Sequence, residues 1–283
     1  MRILVTGTSG RIGAAIAAEI AKRHEVIGLD KLPGARTTLV TDLRESNRVD
    51  DWVAGIDAII HTAGLHAPHV GLQSDQEFVD TNVGGTEALL KAALRHGVRK
   101  FVYTSTTSIY GAAMVPSDRA VWVTEALAPM PRDIYDKTKL AAETACRDAA
   151  RAGLACVSLR MSRCFPEAEN LMAIYRLHRG VDIRDVADAH MLALTSTIDG
   201  FDVFNISAAP VFQESECGEL FTSAADAIER HYRGVAEAFR RRGWNLPARI
   251  DRVYVIEKAQ RLLGFRPRHN FESLFDPGEV TAR

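Results

Sequence analysis

The chain lacks several features that would each have named a class of protein. No apolar run approaches the roughly 18 residues that a membrane-crossing helix needs. Positive and negative charges nearly cancel, to a net −1 over 283 residues, and they are well mixed. A broad basic footprint for nucleic acid or an anionic membrane is therefore missing, and Arg240-Arg241-Arg242 reads as a solvated helix end. The four cysteines, Cys146, Cys156, Cys164 and Cys217, form no CxxC pair and no metal-ligand spacing, which points to a reduced chain. His66 and His69 have no third ligand nearby in sequence, so no metal site is expected. There is no low-complexity linker and no internal repeat. From Met1-Arg2 the chain runs straight into "ILVTG", which reads as a strand rather than a leader peptide. The expectation is a cytoplasmic globular protein, consistent with 47% hydrophobic and 25% charged residues.

What is present is a rhythm. Short apolar, β-branched runs at 2–7, 25–30, 37–43, 57–64, 100–105 and 155–161 alternate with helical patterns at 11–24, 78–97 and 136–153. Nearly all-apolar strands separated by helices imply a parallel sheet covered on both faces. Right-handed crossovers then give an α/β, doubly wound parallel sheet of the Rossmann type. After residue 161 the pattern changes to a loop and helix over 181–196, a strand at 201–207, a charged helical stretch over 215–243, and a short strand and helix ended by Gly264. The expected organisation is a dinucleotide-binding core over 1–161, with 162–283 completing it and adding a small substrate lobe.

"TGTSGRIG" (6–13) joins the first strand to the first helix. Gly7, Gly10 and Gly13 allow a tight turn and close backbone approach to a pyrophosphate, and the helix start supplies N–H groups and a positive dipole end. The flanking strand and helix are the context such a loop requires. Asp30 ends the second strand, where a carboxylate accepts hydrogen bonds from ribose hydroxyls and repels a 2′-phosphate, favouring NAD over NADP. Arg11 and Lys31 are the dissenting features, because either could meet a 2′-phosphate. Asp42 and Leu43 follow the third strand, where they would border the adenine. Ala63 and Gly64 follow the fourth and offer small residues beside the cofactor. Further on, "DIYDKTKLAAE" (133–143) puts Tyr135 and Lys139 one helical turn apart, on one face.

Together "TGTSGRIG", "HTAG", "NVGGTEALLKAA", "YTSTTSIYG" and Tyr-x-x-x-Lys resemble the extended short-chain dehydrogenase/reductases, the epimerase/dehydratase branch. The resemblance runs from residue 2 to about 207, with an echo in "IEKAQRLLGFRPR" (256–268). It implies that Tyr135 is the catalytic acid/base, Lys139 its partner, and Thr106 the hydroxyl that orients the substrate oxygen. Ser105 and Thr107 compete with Thr106, and strand alternation admits one of the three facing the site. A free tyrosine titrates near pH 10, and a neighbouring ammonium favours its phenolate. The candidate cofactor contacts are Gly7, Gly10, Arg11, Ile12, Gly13, Asp30, Asp42, Leu43, Ala63, Gly64, Asn82 and Thr104, with Tyr135 and Lys139. Asn82 would, by resemblance, tie its helix to the sheet. The candidate substrate contacts are His66, Thr106, Thr107, Ser108, Arg163 and Cys164, with "LHAPHVGLQSD" as a lid or a plain surface loop.

The sequence also departs from that branch. Arg163 stands where an Asn is common, and the stretch from Pro166 to Val181 is short, leaving little chain to wrap a nucleotide diphosphate. The layout is more similar to compact uronate-dehydrogenase-like members, although their carboxylate-binding arginine would fall near Met172; Arg163 or Arg176 could substitute. Three functions follow in order. The first is an NAD-dependent dehydrogenase of a small sugar-like or polyhydroxy substrate. The second is a nucleotide-sugar epimerase or dehydratase with tightly held NAD, and the third a non-catalytic NAD-sensing regulator. The resemblance further implies a homodimer formed through helices over 80–96 and 136–152.

Overall fold

A computed structural model describes the chain from Met1 to Arg283, leaving aside the side chain of Ser46. In chain order the strands are β1 (Arg2–Thr6), β2 (Glu25–Asp30), β3 (Leu39–Val40), β4 (Ala58–His61), β5 (Lys100–Thr106), β6 (Val121–Val123), β7 (Ala155–Met161), β8 (Phe201–Ile206), β9 (Tyr232–Arg233), β10 (Arg252–Tyr254) and β11 (Thr281–Ala282). The helices are α1 (Arg11–Ile20), α2 (Val49–Val53), α3 (Asp75–Phe78), α4 (Gly85–Arg95), α5 (Ile134–Arg151), α6 (Glu169–His178), α7 (Ile183–Thr195), α8 (Cys217–Thr222), α9 (Ala224–His231), α10 (Val235–Arg241) and α11 (Glu257–Leu262).

Seven strands form one sheet in the order β3-β2-β1-β4-β5-β7-β8, every pair parallel. The order reverses between β1 and β4. At such a point the loops leaving the strands diverge and open a crevice at their carboxyl ends. Each sheet face carries an apolar layer: α1, α7 and α11 cover one through Ile16, Val186, Leu194 and Ala259. On the other face α2, α4 and α5 contribute Trp52, Leu89, Ala142 and Cys146. A third cluster lies beside the sheet and is rich in aromatics, with Tyr232, Phe239, Phe271 and Phe275 at its centre. All four cysteines are buried and unpaired. Among the described residues no helix is long and apolar enough to cross a membrane.

The expected strands and helices appear, with three revisions. The strand expected over 37–43 shrinks to Leu39–Val40; it is the sheet edge, Val40 is 55% exposed, and Thr41–Leu43 turn away to line the crevice. The single helix expected over 78–97 is three segments. Ser74 and Glu77 form a reciprocal cap on α3, a wide π turn follows over Val79–Gly84, and α4 begins only at Gly85. Local periodicity cannot register the one-residue insertion that makes a π turn. Finally, Val121–Val123 is a strand that the sequence pattern does not announce; it pairs in parallel with β10, far away in sequence, and that pairing is invisible to local pattern.

Candidate functional site

One cavity of about 910 Å³ opens at the switch point, and the glycine loop, the ends of β2, β4, β5 and β7, and the first turns of α5 all face it. The glycine loop shows why its residue types are needed. Gly7 has φ +81°, and a Cβ there would lie 2.5 Å from Thr62 Oγ1. At Gly13 a Cβ would lie 2.0 Å from the Gly7 carbonyl oxygen. The backbone is folded onto itself too closely for a side chain, which leaves the N–H groups at the start of α1 open to an anion. Beneath the loop sits His61, fully buried. Thr86 Oγ1 gives its proton to the Asn82 carbonyl (2.6 Å), so it accepts from His61 Nε2 (3.0 Å). His61 Nδ1 in turn accepts from Thr6 Oγ1 (2.7 Å). That hydroxyl oxygen receives the N–H groups of Thr62 and Ala63 (3.2 and 3.1 Å), which fixes the chain opposite the glycines. Burial holds His61 neutral, with its pKa lowered to about 3.

Gly7, Gly10, Arg11, Ile12, Gly13, Asp30, Asp42, Leu43, Ala63, Gly64 and Thr104 all line the cavity. The Asp30 carboxylate accepts from Ser9 N and Leu32 N, each at 3.0 Å, so it is anchored at the mouth of the loop with lone pairs to spare. Arg11 turns away from Asp30: its guanidinium reaches across to the carbonyl of Cys164 and lies 3.8 Å from Cys164 Sγ. A cation directed there does not meet a 2′-phosphate at Asp30, which removes one of the two features that had argued for NADP. Asp42 is occupied by Arg44, 2.8 Å away. These residues fit an NAD molecule, which Asp30 would hold at its ribose and the glycine loop at its pyrophosphate.

Asn82 ties its helix to neighbouring segments as the resemblance implies, but it is corrected as a candidate cofactor contact. It does not line the cavity; it is buried in the π turn, where Oδ1 accepts from Leu65 N (2.7 Å) and Nδ2 donates to Leu65 O and Thr138 Oγ1 (2.9 and 3.1 Å). Its place is structural, joining the start of the 65–74 loop to α5.

On the far side of the cavity β5 delivers its hydroxyls. The expectation that alternation admits one of Ser105, Thr106 and Thr107 fails: β5 stops at Thr106, a 3₁₀ turn begins at Thr107, and all three line the cavity. Their hydrogen bonds separate them. Ser105 Oγ is buried without a partner among the described residues, and Thr107 Oγ1 donates to Met161 O (3.4 Å). Thr106 Oγ1 accepts from Ser108 N (3.1 Å), and its hydroxyl is also hydrogen-bonded to the Tyr135 phenol.

Asp133 caps α5 by accepting from Asp136 N (2.9 Å), which brings Tyr135 into the cavity wall on the first turn. Lys139 follows one turn later, donating to Thr104 O (2.6 Å) with its ammonium 4.2 Å above the Tyr103 ring. Burial pushes the Tyr135 phenol up to about 12, opposed by its hydrogen bond to Thr106. Burial also pulls Lys139 down to about 7. The pair lines the same cavity without a direct hydrogen bond between them among the described residues.

Of the remaining candidates, His66, Ser108, Arg163 and Cys164 line the cavity. His66 N donates to His69 Nδ1 (3.0 Å) within the 65–74 loop, which brings Leu65, His66, Ala67, His69 and Gln73 to the cavity wall. Arg163 is engaged by Glu167 (2.9 Å). Arg176 lies outside, tied to Asp182 (2.9 Å), so it is not available to a substrate. Sequence reasoning missed four cations that line the cavity, Arg44, Arg132, Arg179 and Arg252, of which Arg179 and Arg252 lie together. These two flank Asp251, 4.0 Å from Arg179 and within ion-pair reach of Arg252, and Arg179 Nε is buried without a partner among the described residues. Arg252 lies on β10, whose pairing with β6 carries it to the site; no local signal announces that.

The chain belongs to the NAD dependent epimerase/dehydratase family, whose model matches residues 3–172, and NAD is the cofactor of that family. It is 35% identical over 155 residues to a 3-beta-hydroxysteroid dehydrogenase of Mycolicibacterium neoaurum, covering 50% of this chain and 41% of that protein. With a dTDP-glucose 4,6-dehydratase of Streptomyces niveus it shares 37% identity over 132 residues, 39% of each chain. The chain thus spans about two fifths of the length of these curated relatives. In fold it is similar to a short-chain dehydrogenase/reductase superfamily protein from Agrobacterium tumefaciens solved with bound NAD, with TM-score 0.71, 22% identity, and 97% and 94% of the two chains covered. A UDP-glucuronic acid 4-epimerase from Bacillus cereus, solved with UDP-glucuronic acid and NAD, superposes with TM-score 0.70 at 22% identity, covering 96% of each.

Proposed function

We propose that this protein is an NAD-dependent oxidoreductase of a secondary alcohol or hemiacetal carbon in a small sugar-like or polyhydroxy molecule. The observation that carries the reading is that Thr106, Tyr135 and Lys139 reach one cavity wall opposite the glycine loop. Bound there, oxidised NAD supplies an acceptor for the hydride of the substrate carbon. The chain's own residues do the rest. Thr106, hydrogen-bonded to Tyr135, turns its hydroxyl to the substrate oxygen and holds the carbon in place. Tyr135, as phenolate, takes the hydroxyl proton. The Lys139 ammonium opposes the effect of burial on the phenol and favours its ionised form. In the reverse direction the same phenol returns the proton. The 65–74 loop, closed by the His66–His69 contact, limits water at the site.

The short segment between Pro166 and Val181, occupied by α6, favours a small substrate over a nucleotide sugar. Arg179 and Arg252 are suited to an anionic group on that substrate, in place of Arg176. The test is a screen for NADH absorbance with NAD or NADP against free aldoses, uronic acids and UDP- and dTDP-sugars. NADH formed with one small sugar supports the reading. Product without net NADH, with NAD retained through purification, would replace it by an epimerase or dehydratase cycle, the chemistry that the dehydratase relative's name describes. A homodimer through α4 and α5 belongs to the same reading; sedimentation as a monomer would remove it.

A further inference from the structure

Asp136 immediately follows Tyr135 and is fully buried. An aspartate is an unusual choice for such a position, because a buried carboxylate is costly unless both of its oxygens are satisfied. Here they are. Oδ1 accepts the hydroxyl proton of Ser108, and Oδ2 accepts from Arg132 N (3.2 Å), with the Arg132 guanidinium 3.8 Å away. Every one of these partners is a donor, which is the environment of an ionised carboxylate. Burial pushes its carboxyl up, and the bond from Ser108 pulls it back. Three segments thereby meet at one side chain: the turn after β5, the chain entering α5, and α5 itself.

The consequence lies in the accounting of protons. A serine hydroxyl has one proton and two lone pairs. With that proton committed to Asp136, Ser108 has only lone pairs left for the cavity that it lines. Its neighbour Thr106 takes the Ser108 N–H on its oxygen and shares its own hydroxyl with the Tyr135 phenol. The wall thus offers the Thr106–Tyr135 hydroxyl pair, where the reacting oxygen would sit, next to an acceptor at Ser108. A substrate that matches it places the reacting oxygen at Thr106 and a hydroxyl group, as donor, at Ser108.

We propose that Asp136 is a positioning residue that fixes Ser108 as an acceptor, so that the site selects substrates with a hydroxyl beside the reacting carbon, and that its carboxylate sets a negative charge beside the Tyr135 phenol. This rests on the oxidoreductase reading above for its substrate and not for its charge. The charged and titratable groups around the pair are Asp133 and Lys139 on α5, Arg132 before it, Tyr103 on β5, and His66 across the cavity. An amide at position 136 keeps the shape, removes the charge, and can turn its NH₂ toward Ser108, releasing the serine proton into the cavity.

The test uses the NAD-loaded full chain, Asp136→Asn and Ser108→Ala. Turnover of 2,3-butanediol is compared with that of 2-butanol, two secondary alcohols that differ by the neighbouring hydroxyl. The native protein is expected to favour the diol in kcat/KM by at least about 10-fold, and both variants to lose most of that preference. Equal handling of the two alcohols by the native protein, or an undiminished preference in Asp136→Asn, overturns the proposal. A second readout needs no substrate. Tyrosinate absorbance is followed against pH, with Tyr135→Phe subtracted to isolate that one phenol. Removing the carboxylate in Asp136→Asn is expected to let Tyr135 ionise about one pH unit lower; an unmoved titration overturns the placement of the charge. If neither alcohol nor any sugar reacts while the titration moves, the role of Asp136 toward Tyr135 stands and the oxidoreductase reading is what fails.

Discussion

The two ends of the cavity are built in opposite ways. The cofactor end comes from short stretches, each just past the end of a strand: Gly7–Gly13 after β1, Asp30 closing β2, Asp42–Leu43 after β3, and Ala63–Gly64 after β4. Its charged wall residues are of both signs, Asp30, Asp42 and Glu77 with Arg11, Lys31 and Arg44. The substrate end gathers His66, Ser108, Arg132, Arg163, Arg179 and Arg252 from segments spread over most of the chain, and its charged side chains are arginines. One end is a backbone cradle for a ligand of fixed shape. The other is a set of side chains whose spacing depends on how distant elements pack. A family can keep the first while the second changes, and relatives as different in name as a steroid dehydrogenase and a sugar-nucleotide dehydratase share matched residues with this chain.

The sharpest way to probe the comparison is at the boundary. Tyr135→Phe is expected to lower kcat by about 10²–10⁴-fold while NAD affinity and substrate KM change little, because the phenol is needed by neither end for binding. Steady-state rates alongside calorimetric titration with NAD would separate the two effects.

Breaking the cofactor end alone should look different. A methyl at Gly13 would sit 2.0 Å from the Gly7 carbonyl, so Gly13→Ala must deform the loop. With about 1–3 kcal/mol of strain, NAD binding is expected to weaken by about 5- to 150-fold, whichever substrate is offered. Fluorescence titration with NADH checks this.

Breaking the substrate end should spare NAD. Arg252→Met is expected to raise KM for an anionic sugar such as a uronic acid by about 10-fold or more, the worth of a charge-assisted hydrogen bond. The KM of its neutral counterpart and the affinity for NAD should hardly move. An equal rise for charged and neutral sugars would erase the distinction between the two ends.

Acid should weaken both ends together. His61 lies under the glycine loop and His178 donates to the Arg252 carbonyl (2.8 Å); burial lowers each to about 3. The unfolded chain takes up protons at these positions below about pH 6.5, whereas the folded chain does not. Stability is therefore expected to fall steadily as the pH drops from about 6.5 toward 3. Melting temperatures across that range would show it, and a flat profile would mean that these imidazoles are not buried as neutral groups.

Much of this was legible before any coordinates. The alternation of apolar strands with helical patterns was enough for a doubly wound sheet, and the glycine loop stood out by its spacing together with the strand before it and the helix after it. Tyr135 and Lys139 share a helix face, where residues four apart meet, but it was the resemblance to the extended short-chain dehydrogenase/reductases that singled the pair out. The errors have equally physical causes. The π turn around Asn82 adds a residue that no 3.6-residue periodicity registers, and it withdrew that amide from the cofactor. The end of β5 at Thr106 broke the alternation meant to choose among three hydroxyls. Arg176, a plausible cation in sequence, is spent on Asp182.

By itself the sequence determined what depends on neighbours in the chain: strand, turn and helix at the cofactor loop, the acid that ends β2, and the first turn of α5. The tertiary structure alone decided what depends on distance through space. It brought Arg252 to the cavity by pairing β10 with β6, sent Arg11 to Cys164, and set Asp136 against Ser108. Local backbone preference and side-chain periodicity act over a few residues, while such contacts form only when the packed sheet and its flanking layers bring remote segments together.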